Sequence, residues 1–149
     1  MTDKTHDIQL TDHHGQPWSL NQVKDLLVMF FYPKAMTSGC TKQACLYAEL
    51  YDSIVSLGAE VVGVSRDTSK KLMAFKEAYE LPFTLLSDPQ AITCQDFGVW
   101  VEKSMYGKKY MGIERSTFIL SSDGRVIASW RKVKPHDDAK QVVRFLQTR

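Results

Sequence analysis

No stretch of the 149-residue chain approaches 18 consecutive apolar residues, so no membrane-spanning helix is expected. The first ten residues, MTDKTHDIQL, are polar and lack the apolar core of a secretory signal, which makes a cytoplasmic location the default expectation. Neither sign of charge dominates. Nineteen basic residues face 17 acidic ones, for a net charge of +2, which argues against a nucleic-acid partner or a membrane surface. The short basic run Arg131-Lys132-Val133-Lys134 reads as a solvated strand end. No repeat, low-complexity tract or Gly/Ser linker divides the chain, so residues 1–149 read as one domain. Cysteine is scarce as well. Three residues are an odd number and too few for a disulfide scaffold. No Cys-x-x-Cys pair occurs, which disfavours a thioredoxin-type disulfide oxidoreductase. His6, His13, His14 and His136 show no metal spacing with the cysteines. Two cysteines and one distant histidine make a poor zinc set, so no metal is expected.

Hydrophobic residues make up 44% of the chain, enough to bury a core, and their spacing predicts alternating strands and helices. Leu26 to Tyr32 (LLVMFFY) is a continuous apolar run, the pattern of a strand buried on both faces. Residues 38–57 have helical periodicity, with Ala44, Tyr47, Ala48, Tyr51, Ile54 and Val55 on the side of Cys40, and Gly58 as a stop. Glu60 to Ser65 is a second buried strand. Thr68 or Ser69 caps a helix to about Tyr79, with Leu72, Phe75 and Tyr79 on one face. Phe83 to Leu86 is a short strand, and Asp88-Pro89 opens a short helix to about Phe97. Glu102 to Gly112 reads as an exposed hairpin or loop. Ser116 to Ser121 and Val126 to Trp130 flank a Ser-Asp-Gly turn as an antiparallel hairpin. Asp137 to Gln147 closes the chain as an amphipathic helix. This order predicts an α/β three-layer sandwich with a mixed central sheet flanked by helices, for which the thioredoxin fold is the leading candidate.

The stretch FYPKAMTSGCTKQAC, Phe31 to Cys45, places two thiols where a strand hands over to a helix. Cys40 falls in the first helical turn, where unpaired N–H groups and the positive end of the helix dipole favour an anion. A thiolate there is a nucleophile; the alternative is a small buried hydrophobe. Gly39 permits close backbone approach, Pro33 fixes the strand exit, and the Thr37 hydroxyl can donate to the thiolate or accept from a bound hydroperoxide. Cys45 lies five residues on. On a regular helix the two Cα atoms stand roughly 8 to 9 Å apart, beyond the ~7 Å that a disulfide spans. The pair is therefore either unrelated, or joined only when the helix start unwinds. Cys94, in AITCQDFGV, reads as a packed or semi-exposed thiol. The aromatics Phe30, Phe31, Tyr32 and Trp100 fit a core, with Tyr32 and Trp100 as possible walls of a small-ligand pocket.

Pro33-x-x-x-Thr37-x-x-Cys40 resembles the peroxiredoxin active-site pattern, and the wider stretch is similar to the PrxQ, or bacterioferritin comigratory protein, subfamily. VVGVSRDTSKKLMAFKEAYELPFTLLSDP, ERSTFIL and WRKVKPHDDAKQVVRFL extend the likeness over most of the chain. The resemblance implies a thioredoxin-like peroxiredoxin fold and a thiol peroxidase needing no cofactor. Cys40 would be the peroxidatic cysteine, Thr37 a partner of the peroxide and Arg115 the active-site arginine. Pro33 and Gly39 would shape the substrate pocket. Cys45 would be the resolving cysteine, forming an intramolecular disulfide that a thioredoxin-like reductant reopens. The implied substrates are hydrogen peroxide and small organic hydroperoxides, and the implied state is a monomer. Two positions depart from the subfamily: Ser38 stands where many members have proline, and LYAEL follows Cys45 where an aromatic-Arg pair is commoner. Other readings are a non-catalytic thiol redox sensor and a binding module of thioredoxin fold.

Overall fold

The computed structural model describes residues 5–149. Its centre is the strand β3 (Leu26–Phe31), in which every residue is buried. Successive side chains of a strand point to opposite faces, and both faces here are covered. Leu26, Val28 and Phe30 belong to one core cluster, and Leu27, Met29 and Phe31 to the other. That double burial explains the unbroken apolar run.

Around β3 a seven-stranded sheet runs in the order β2-β1-β5-β4-β3-β8-β9, with β1 at Gln9–Asp12, β2 at Pro17–Ser19, β4 at Ala59–Ser65, β5 at Thr84–Ser87, β8 at Ser116–Leu120 and β9 at Val126–Trp130. β3, β4 and β5 are parallel, whereas β8, β9, β1 and β2 join antiparallel, so the sheet is mixed. The helices α1 (Ser38–Glu49), α2 (Tyr51–Ser56), α3 (Ser69–Ala78) and α5 (Asp138–Thr148) supply Ala44, Tyr47, Ile54, Phe75, Val142 and Leu146 to the first cluster. The short helix α4 (Ile92–Asp96) and the N-terminal segment cover the opposite face. A separate hairpin, β6 (Trp100–Met105) with β7 (Lys108–Ile113), leads into β8. This is the expected sandwich. One close approach depends on glycine: a Cβ at Gly63 in β4 would lie 2.8 Å from Phe30 Cζ and 3.1 Å from Tyr32 Cε1. Its bare backbone lets both rings lie across β4.

Four details differ from the periodicity. The N-terminal hairpin β1–β2 carries too little apolar alternation to announce itself. It is set by an Asx turn, in which Asp12 Oδ1 accepts from the backbone N–H of His14 and of Gln16, each at 2.9 Å, and by Gly15 at φ +80°. The expected helix over 38–57 is two helices, broken at Leu50 (φ −98°, ψ 6°). Beyond the break the face drifts, and Val55 is exposed. Tyr79 also lies on the surface, because α3 ends at Ala78.

Candidate active site

The site is built at the carboxyl end of β3. Tyr32 extends the parallel ladder, donating its N–H to Val64 O at 3.1 Å. The chain then leaves the sheet at Pro33, and Ala35 N–H donates to Asp67 Oδ2 at 2.8 Å. The same oxygen accepts from Ser65 Oγ at 2.7 Å, so the end of β4 tethers the active-site loop. Met36 takes a left-handed conformation (φ 69°), and Thr37 is the N-cap of α1 with extended dihedrals. The Thr37 hydroxyl donates to Lys34 O at 2.7 Å. With its proton committed there, what it offers a ligand is its lone pairs.

Cys40 is the third residue of α1 and 1% exposed. It is packed as a small hydrophobe would be, yet a guanidinium faces it. Arg115 Nη1 stands 3.4 Å from Cys40 Sγ and donates to Gln43 Oε1 at 2.7 Å. Sheet register explains how residues 75 apart in sequence meet. Phe31 pairs with Ser116 across β3 and β8, so Arg115 sits beside the point where β3 gives way to α1. Gly39 keeps the space open, since a Cβ there would lie 3.3 Å from Arg115 Nη2 and 3.6 Å from Pro135 Cγ. Lys103 on β6 passes its stem over Gly112, where a Cβ would lie 3.1 Å from Lys103 Cδ. Burial and, after it, the Arg115 charge hold the Lys103 ammonium below the usual lysine value.

Cys45 is half-buried on α1, and all three cysteines are free thiols. Burial and the neighbouring Glu49 charge push the Cys45 thiol up, so it is a protonated thiol at neutral pH. Cys94 is fully buried and pushed far up by burial and by Asp88, the packed thiol expected. Tyr32 is buried in the same cluster as Cys40. Its hydroxyl has no well-formed hydrogen bond, although the Ser65 hydroxyl is close. Trp100 instead stacks under the Arg66 guanidinium, 4.7 Å from the ring centre, and lines a neighbouring depression of about 400 Å³ with Pro33, Lys34 and Lys103. Arg131 is less free than a solvated strand end implies, pairing with Glu114 and donating to Gly98 O at 2.8 Å. Among the described residues no three His, Cys, Asp or Glu side chains gather as a metal site, and no helix is long and apolar enough to cross a membrane.

The structure brings Pro33, Thr37, Gly39, Cys40 and Arg115 to one helix end and keeps Cys45 further along that helix. Reading the sequence alone missed Gln43 and Asp67. The three-residue spacing from Cys40 puts Gln43 on the same helical face, a usable signal; nothing local marks Asp67.

A thiol held this way at the end of a thioredoxin-fold strand defines a cysteine-based redox enzyme. The AhpC/TSA family model matches residues 1–129. Peroxiredoxin Bcp of Bacillus subtilis is 42% identical over 145 residues, 97% of this chain and 92% of that protein. Peroxiredoxin Q of Xanthomonas campestris superposes with a TM-score of 0.88 at 39% identity, covering 95% of this chain and 90% of that one. A bacterioferritin comigratory protein of the same organism, studied for alkyl peroxide reduction, gives a TM-score of 0.90 at 35% identity over 99% and 98% of the two chains. The chain belongs to the AhpC/TSA family, on its Bcp/PrxQ peroxiredoxin branch. That membership does not favour a passive sensor or binding module.

Proposed function

We propose that this peroxiredoxin reduces hydrogen peroxide and small organic hydroperoxides through Cys40. The carrying observation is the Arg115 guanidinium 3.4 Å from Cys40 Sγ at the start of α1. The guanidinium and the free N–H groups of the first turn surround the reacting sulfur with positive charge. The thiolate sulfur attacks the distal peroxide oxygen, the O–O bond breaks, and the leaving RO⁻ takes a proton to depart as ROH. Arg115 stabilises the charge developing on that oxygen. Thr37 accepts a hydrogen bond from the hydroperoxide, while Pro33 and Gly39 shape the approach. Cys40 is left as sulfenic acid.

Cys45 then closes the cycle. With α1 intact the two Cα atoms are roughly 8 to 9 Å apart, so the first turns must open. Two features favour opening: no side chain caps α1, and its first turn carries no acidic residue. Cys45 attacks the sulfenic sulfur, releasing water and leaving a Cys40–Cys45 disulfide. A thioredoxin-like dithiol reduces that bond. The protein works in this reading as a cytoplasmic monomer.

Two measurements test it. Cys40→Ser should abolish turnover with a thioredoxin system, and retained peroxide reduction refutes the assignment. A non-reducing peptide map after one equivalent of hydrogen peroxide should show the Cys40–Cys45 link; a free Cys40 thiol counts against it equally.

A further inference from the structure

Asp138, the first residue of α5, is fully buried. Its Oδ2 accepts three neutral donors: Gln43 Nε2 at 2.8 Å, Tyr47 Oη at 2.7 Å and Thr117 Oγ1 at 2.6 Å. Oδ1 accepts from Gln141 Nε2 at 3.3 Å. Helix α5 directs the positive end of its dipole at this carboxylate. The catalytic cycle as described uses none of these contacts.

The donor and acceptor types permit one arrangement. A carboxylate only accepts. Burial and the Asp138 charge hold the Tyr47 hydroxyl well above its ordinary value, so Tyr47 remains a donor. Gln43 has one donating and one accepting end on its amide. Committing the NH2 to Asp138 turns Oε1 towards Arg115, where it accepts from Nη1 at 2.7 Å. The same Nη1 reaches Cys40 Sγ. A reversed amide would aim oxygen at a carboxylate and NH2 at a guanidinium, so both contacts would turn repulsive.

We propose that Asp138 is a positioning residue for peroxide reduction: it fixes the amide orientation of Gln43 and thereby holds Arg115 over Cys40. This rests on the roles of Cys40 and Arg115 given above. Asp138 touches neither substrate nor thiol and acts through Gln43 alone. The register is long, since Asp138 and Gln43 are 95 residues apart; the C-terminal helix thus reaches the chemistry through one side chain.

The test is a double-mutant cycle on the full chain, reading the second-order rate of Cys40 oxidation by hydrogen peroxide in single turnover. Asp138→Ala removes the oxygen that accepts from Gln43 Nε2 and frees the Gln43 amide to turn. Gln43→Met removes the acceptor of Arg115. Each single variant should slow oxidation by about tenfold, the loss expected for one hydrogen bond to a charged group. Because Asp138 acts through Gln43 alone, the double variant should stay within about threefold of its slower member, whereas independent damage would multiply to about a hundredfold. Multiplying losses overturn the proposal, as does a folded Asp138→Ala protein that oxidises at the parent rate. Should Asp138→Ala fail to fold, Gln43→Met alone decides, and parent-like oxidation there overturns it. Cys40→Ser is measured alongside. Persistent turnover in that variant refutes the peroxidatic thiol itself, whatever the cycle shows.

Discussion

Replacing Arg115 by methionine removes the guanidinium charge that faces the Cys40 sulfur while keeping a side chain of comparable length. At 3.4 Å and an effective dielectric of 20, a unit charge pair is worth about 5 kcal/mol. Arg115 is half-buried, and solvent screening removes part of that. Loss of a preorganised donor at a developing anion costs about 3 to 4 kcal/mol, or roughly 10²- to 10³-fold in rate. Arg115→Met should therefore slow Cys40 oxidation by about that factor. Arg115→Lys should recover only part of it, because an ammonium lacks the planar fork that serves Gln43 and the sulfur together. The assay is stopped-flow oxidation of the reduced protein over a range of peroxide concentrations, with circular dichroism to show that α1 is intact. A fall of less than about tenfold in a folded Arg115→Met protein would refute the electrostatic account.

Three further outcomes follow from the same geometry. Cys45→Ser should keep the first oxidation and lose the intramolecular disulfide; an unchanged disulfide yield on a non-reducing peptide map would make Cys94 the partner. Gly63→Ala drives a methyl to 2.8 Å from Phe30 Cζ and should cost about 1 to 3 kcal/mol, read as a lower urea midpoint; unchanged stability would mean that the rings above β4 are free to move. His13 is held below its ordinary value of 6.5, chiefly by burial and then by the Lys76 charge, so the folded state favours its neutral form. Its contribution is complete above the unfolded value and is lost as pH falls from there through the lower folded value. His13→Gln should flatten the stability profile in that acidic window, and an unaltered slope would assign the acid sensitivity elsewhere.

What could be read in advance followed how locally each feature is encoded. β3 announces itself because both faces are buried, and α3 because Thr68 caps it, accepting from Lys71 N–H at 3.3 Å. Cys40 was legible as a thiol at a strand-to-helix junction. Arg115 was not legible from its own surroundings, since the contact that gives it meaning spans 75 residues and depends on the β3–β8 register. Only the family resemblance pointed to it. Asp138 was invisible for the same reason, as no local pattern says which buried donors a distant carboxylate will collect, and Gln43 was marked only by its helical spacing from Cys40. The break at Leu50 carries no glycine or proline, so periodicity ran straight through it.

That break sets how far a disturbance at Cys40 can spread. Helical order propagates along an uninterrupted ladder, and restarting it is costly. Here the ladder lapses at Leu50, while Ile54 on the far side is clamped in the core. A melt that begins at Ser38, as the proposed cycle requires, would therefore meet a firebreak after twelve residues. The enzyme would then denature a small part of itself repeatedly, as a reversible moving component, without its foundation taking part.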